Sequence, residues 1–130
     1  MGNYARLSVW KKAHRLTLAI YRSTATFPDS ERFGLISQLR RAAASVASNI
    51  AEGCGRDADR ELAYFIRVAL GSANEIEYHL LLARDLGILD RVCWLRLHDR
   101  TTEIKRMLAA FLQRLRPFQL RDIPRLKADS

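Results

Sequence analysis

Residues 35–53 limit what this chain can fold into more sharply than any other stretch. Wound at 100° per residue, they place Leu35, Leu39, Ala42, Ala43, Val46, Ala47 and Ile50 on one side of a single helix. Gln38, Arg41, Ser45, Asn49 and Glu52 recur at steps of three and four and form a narrow polar stripe beside that apolar side. The remaining strip holds Ser37, Ala44, Ser48 and Ala51, all small. A solvated helix face ordinarily carries Lys and Glu, so the small strip predicts close approach by a neighbour. The stretch therefore reads as the central helix of a bundle that also meets another subunit.

The rest of the chain supplies the other helices. Residues 8–23 carry Val9, Ala13, Leu16 and Ile20 at helical spacing, with Ser8 as N-cap and Trp10 bordering the stripe. Pro28 stops this helix. Asp29 or Ser30 is placed to cap the next one, and Glu31 adds negative charge at its positive end. Phe27 and Phe33 are expected to clip the turn onto the bundle, and Gly53 to close the second helix as its C′ residue. Residues 58–86 form the third helix, with Leu62, Phe65, Ala69, Ala73, Ile76, Leu80 and Ala83 inward and Gly87 closing it. Gly71 in mid-helix costs about 1 kcal/mol relative to Ala, which implies a helix passing close by. The fourth helix runs from its cap, Asp90, to about residue 115 and turns Leu97, Thr101, Ile104, Leu108, Phe111 and Leu115 inward, Trp94 extending the row. Arg116–Pro117 is read as its end.

Four amphipathic helices with short connections predict an all-α fold, an up-down-up-down antiparallel four-helix bundle assembling as a cyclic oligomer. The bundle covers residues 1–117, and 118–130 form a basic C-terminal tail. The short link between the second and third helices sets Arg41 level with Glu75, and an ion pair between them is expected.

Charge is the strongest clue to partners. The 130 residues carry a net charge of +8. Residues 91–130 hold ten Lys and Arg against four Asp and Glu, whereas residues 1–90 hold twelve against ten. A basic chain with its excess in the last third suits a polyanion. Lys11, Lys12, Arg15 and Arg22 on the first helix and Arg96, Arg100 and Arg106 on the fourth lie off the apolar stripes and are the candidate phosphate contacts. With no exposed aromatics expected among them, base stacking is not indicated.

Other chemistries find no footing. Cys54 and Cys93 make neither a disulfide framework nor a zinc site and read as two reduced thiols. Gly53-Cys54-Gly55 fits no phosphate-loop spacing, and Asp57, Asp59 and Glu61 would repel phosphate there. Glu75 and His79 lie four apart and Glu77 and His79 two apart, unlike the Glu-x-x-His pairs of di-iron bundles. No cofactor, metal or catalytic constellation is predicted. The N-terminus has no apolar signal core and no run spans a membrane, so a cytoplasmic protein is expected.

Several motifs together resemble one family: Leu7-x-Val9-Trp10-Lys11-Lys12-Ala13, Phe27-Pro28-x-x-Glu31-x-Phe33-Gly34-Leu35, Gln38-Leu39-Arg40-Arg41-Ala42-Ala43-x-Ser45-Val46, Asn49-Ile50-Ala51-Glu52-Gly53 and Gly71-Ser72-x-x-Glu75. The chain is similar, over about residues 7–115, to the four-helix-bundle family of proteins encoded within 23S rRNA intervening sequences. That family also holds the accessory variability protein of diversity-generating retroelements. The resemblance implies a small cytoplasmic bundle, a cyclic homopentamer and no catalytic activity. The retroelement relative works with a reverse transcriptase and binds nucleic acid through basic surfaces. The polar stripe, Gln38, Arg41, Ser45, Asn49, Glu52 and Glu75, carries many of the shared motifs and suits architecture.

Two functions follow from this reading. One is a non-catalytic basic homo-oligomer binding RNA or DNA, RNA above all, by phosphate contacts. The other is a protein–protein adaptor whose ring presents a groove to a partner protein, with the charge serving solubility.

Overall fold

A computed structural model describes residues 3–122, with side chains described as far as residue 115. Four helices make the fold: α1 (Ser8–Thr24), α2 (Ser37–Cys54), α3 (Asp59–Asp85) and α4 (Arg91–Asp122). No strand occurs among the described residues. A single 3-10 turn, Tyr4–Arg6, precedes α1; a second, Asp29–Glu31, and a π turn, Arg32–Ile36, lead into α2. α1 packs on α2 and α4, α2 on α3, and α3 on α4, so the four close into a ring around one core.

That core is what the apolar periodicity implies. Leu16, Ile20, Leu39, Val46, Ile50, Ile76, Leu80, Ile104 and Leu108 are all essentially inaccessible. Each such side chain withdraws roughly 1.5–3 kcal/mol of apolar surface from water, which is why the stripes dictate helix orientation. Thr24 and Thr101 are buried with them and return their hydroxyls to Ile20 O at 2.7 Å and Leu97 O at 2.8 Å. On α3 the expected row is buried at every position but Phe65, and it is wider than expected. Ala63 and Ile66 are fully buried, whereas Phe65 is half-buried with the Arg56 guanidinium 5.0 Å from its ring centre. Thr17 ties α1 to α2, its hydroxyl shared between Ala13 O of its own helix at 2.8 Å and Ala43 O at 3.1 Å.

The helix ends show which local signals hold. Asp90 caps α4, its carboxylate accepting from Cys93 N at 2.8 Å. That bond holds the Asp90 carboxyl below its ordinary range. α3 closes at Gly87, with φ at 76°, where Gly87 N donates to Arg84 O and Ile88 N to Ala83 O. This paired pattern needs a residue in the left-handed region, which glycine supplies without strain.

Other expectations are corrected. Ser8 is the first residue of α1 rather than its cap; the cap position is Leu7, which offers no side-chain acceptor. Neither Asp29 nor Ser30 caps α2, because Glu31 reaches Leu35 N at 3.1 Å. Phe27 is buried but Phe33 is 88% exposed. The backbone leaves helical geometry at Gly34, and the phase resets so that Leu35 turns inward instead. Gly53 is not a C′ residue: α2 runs on to Cys54, and a Cβ on Gly53 would lie 3.0 Å from Leu62 Cδ1 and Phe65 Cβ. It is there to let α3 come close. Nor does α4 stop at Arg116–Pro117, since the helix continues to Asp122. A proline removes one backbone donor but keeps a helical φ, and one lost bond does not end a long helix. The predicted tail is thus helical at its start, and residues 123–130 lie outside the described residues.

Candidate nucleic-acid interface

The seven candidate cations are all accessible, as their positions off the apolar stripes require. Lys11, Arg15 and Arg22 are exposed on α1, with Lys12 half-buried; Arg96, Arg100 and Arg106 are exposed on α4. The seam between those two helices brings three of them together. Lys12, Arg15 and Arg100 border a cavity of 210 Å³, together with Glu103 and Ile104. Lys12 Nζ stands 3.3 Å from Glu103 Oε2. Lys11, Arg22, Arg96 and Arg106 do not border this cavity.

Glu103 escaped the sequence reading. Its partner is on the first helix and it is on the last, and no short connection fixes their relative register. Arg40 escaped for a similar reason. Its Nε donates to Thr24 Oγ1 at 2.9 Å and its Nη2 to Tyr21 O at 3.2 Å, and its guanidinium lies 4.6 Å from the Tyr21 ring centre. It satisfies the carboxyl end of α1, where a cation is favoured by the helix dipole. Lys105 is likewise committed to structure, joining α4 to Glu77 of α3 at 2.6 Å.

The polar stripe of α2 is held in short, separate groups of bonds. Ser45 and Ser72 share a hydrogen bond of 2.8 Å between their hydroxyls. Asn49 Nδ2 donates to Ser45 O at 2.8 Å and to its Oγ at 3.0 Å, and Glu52 pairs with Arg56 at 2.6 Å. The expected Arg41–Glu75 ion pair is absent. Arg41 Nη2 donates to Gln38 Oε1 at 3.1 Å instead, although Arg41 and Glu75 border one cleft of 230 Å³. Both are exposed, and water solvates separated surface charges nearly as well as each would solvate the other.

The small strip is open in the single chain. Ala44 and Ser48 are exposed and border two adjoining grooves of 610 Å³ and 480 Å³ on the outer face of α1 and α2. Tyr21 and Arg40 stand on one, and Tyr4, Trp10 and His14 on the other. Gly71 is exposed too, with nothing within 4 Å of the place a Cβ would take, so no helix of its own chain passes close. Exposed aromatics are also present, contrary to expectation: Tyr21 is 44% exposed, Tyr64 55% and Tyr78 57%.

The histidines are dispersed. His14 stacks on Trp10 and His98 on Trp94, with centroids 5.1 Å and 4.8 Å apart, and His79 tilts against Tyr78. No group of three or more metal-type ligands occurs among the described residues. Cys54 and Cys93 form no disulfide. Burial pushes the Cys54 thiol above its ordinary value, away from nucleophilic character. No helix among the described residues is long and apolar enough to cross a membrane.

A ring of four helices, a small-residue outer face and a polar strip on α2 form a pattern that comparison with known proteins decides. The model of the 23S rRNA-intervening sequence protein family matches residues 5–110. The chain belongs to that family. A solved structure from Bacteroides thetaiotaomicron, described as a protein of unknown function from the S23 ribosomal protein family, is similar with a TM-score of 0.73. It is 23% identical, and the match covers 80% of this chain and 97% of that one; at this identity it supports the fold alone. None of the curated proteins compared matches the chain. The family description names no reaction. Family membership accounts for the shared motifs on the α2 stripe, of which Ser45 ties α2 to α3 through Ser72.

Proposed function

We infer that this member of the 23S rRNA-intervening sequence family is a non-catalytic, basic homo-oligomer that binds nucleic acid, RNA first, through phosphate contacts in the cytoplasm. The observation that carries the reading is the meeting of Lys12, Arg15 and Arg100 across the α1–α4 seam, on a chain of net charge +8. Three cations against the one carboxylate of Glu103 leave the cleft net positive, which favours an incoming anion. The bundle is up-down-up-down in this reading. Cross-helix bonds support that, since Thr17–Ala43 and Ser45–Ser72 join positions roughly equidistant from the turns between their helices. Assembly into a ring, of five subunits by family resemblance, is supported by the open small-residue face at Ala44 and Ser48 and by the uncovered Gly71. Repetition around a ring would multiply a modest affinity.

The test is a salt titration of binding to labelled single-stranded RNA and to DNA of the same sequence. If three cations each release one counterion, affinity falls roughly twentyfold between 50 and 200 mM salt. A salt-independent affinity would remove phosphate contacts as the mechanism.

The second reading, an adaptor, is favoured by the paired grooves on α1 and α2, whose small floor and aromatic edges suit an inserted helix. Pull-down before and after nuclease separates the two readings. A protein partner retained after nuclease supports the adaptor.

A further inference from the structure

The α1–α4 seam holds a feature that plain attraction to polyanions does not require. Lining the same cavity as its cations is a carboxylate, Glu103, taken up by Lys12 at 3.3 Å. Arg15 and Arg100 border the same cavity and have no hydrogen-bond or ion-pair partner among the described residues. The Lys12 and Glu103 side chains keep 35% and 46% of their surface, so the pair is reachable from outside.

We propose that this cleft seats one phosphate group of the bound nucleic acid, and that Glu103 is a built-in counter-ion which the phosphate displaces from Lys12. The proposal rests on the nucleic-acid reading above and assigns it a place. A volume of 210 Å³ holds several waters, each claiming about 30 Å³ in the liquid, and so has room for a phosphate with part of its hydration. Lysine supplies a compact point charge and the two arginines supply planar forks that match paired phosphate oxygens. Three cations against one carboxylate leave the cleft positive, so phosphate is still attracted while Glu103 is in place. An exposed ion pair is worth little, which makes Glu103 a weak competitor. Once displaced from Lys12 it is left beside the phosphate, and its repulsion subtracts from affinity. Glu103 thus sets a threshold: a strand anchored at several subunits overcomes it, and a lone anion gains less.

Fluorescence anisotropy with a labelled single-stranded RNA tests this on the intact chain. The variants are Glu103→Gln and Arg100→Met. Two controls make the same charge changes on α3, Glu61→Gln and Arg67→Met. All four side chains are accessible, and thermal melts verify folding. Glu103→Gln is expected to tighten binding roughly threefold beyond Glu61→Gln. Arg100→Met is expected to weaken binding and to flatten the salt slope by roughly 0.7, with Arg67→Met doing neither. If the wild type binds RNA but each seam variant behaves as its control, the seat is wrong and the nucleic-acid reading survives. If the wild type binds neither RNA nor DNA in a salt-sensitive way, that reading falls and the seat falls with it.

Discussion

Gly53 and Gly71 both lie inside helices, where each forgoes about 1 kcal/mol of helix propensity relative to alanine. Their surroundings differ completely. At Gly53 a Cβ would press on Leu62 Cδ1 and Phe65 Cβ at 3.0 Å, and Phe65 Cβ, fixed to the backbone, cannot swing aside. Gly53→Ala is therefore expected to lower stability by about 1 kcal/mol net, overpacking outweighing the propensity gain. At Gly71 the space is open, and Gly71→Ala is expected to add roughly 0.5–1 kcal/mol to a dilute, monomeric chain. Urea denaturation of both variants checks the contrast. The sequence marked both glycines but read Gly53 as a helix end, where it in fact lets α3 approach; the neighbour expected at Gly71 is no helix of its own chain. A glycine that ends a helix and one that lets a neighbour approach carry the same letter, and only the position of the neighbour separates them.

Elements begin and end by local rules, and the pH response of α4 follows from one of them. Asp90 accepts from Cys93 N, and this bond favours the ionised carboxyl. A carboxyl whose folded value is depressed contributes stability above its unfolded value, near 3.8, and loses it as pH falls through the lower folded value. Asp90→Ala should therefore be less stable than the wild type at neutral pH, with the gap narrowing only in strong acid. Asp90→Asn keeps an acceptor without a charge and should track the wild type without that acid dependence. Urea melts at neutral and acid pH measure both, and a gap that persists undiminished in acid would contradict the assignment. The inward faces of all four helices were legible because a buried stripe recurs at fixed spacing. Phe33 and Arg40 were not. The non-helical backbone at Gly34 interrupts the phase that would have buried Phe33, and Arg40 acts on another helix through reach rather than period.

Across the whole molecule, what can be read from the sequence thins with distance along the chain. The α2–α3 pairing is joined by a short turn, yet its expected ion pair fails because exposed charges need not meet. The α1–α4 seam joins the two ends of the bundle, and there Lys12, Arg15 and Arg100 were named as candidates while Glu103, which borders the same cavity, was missed. At this scale the expected outcome is a native mass several times that of the 14.9 kDa chain. Ala44→Glu, which puts a charged stem on the outer face of α2, is expected to reduce that mass to the single chain without unfolding it. A monomeric wild type would rule out the small outer strip as a contact between subunits. One further consequence comes from the Thr17 hydroxyl, divided between Ala13 O and Ala43 O. Apolar surfaces alone are slippery, and two smooth rods could creep along each other by a turn with little penalty. A detent at Thr17 resists that creep, because sliding forfeits the bond to Ala43 while leaving the local one intact. The bundle is thereby indexed to a single alignment, and its outer surface presents the same face each time the chain folds.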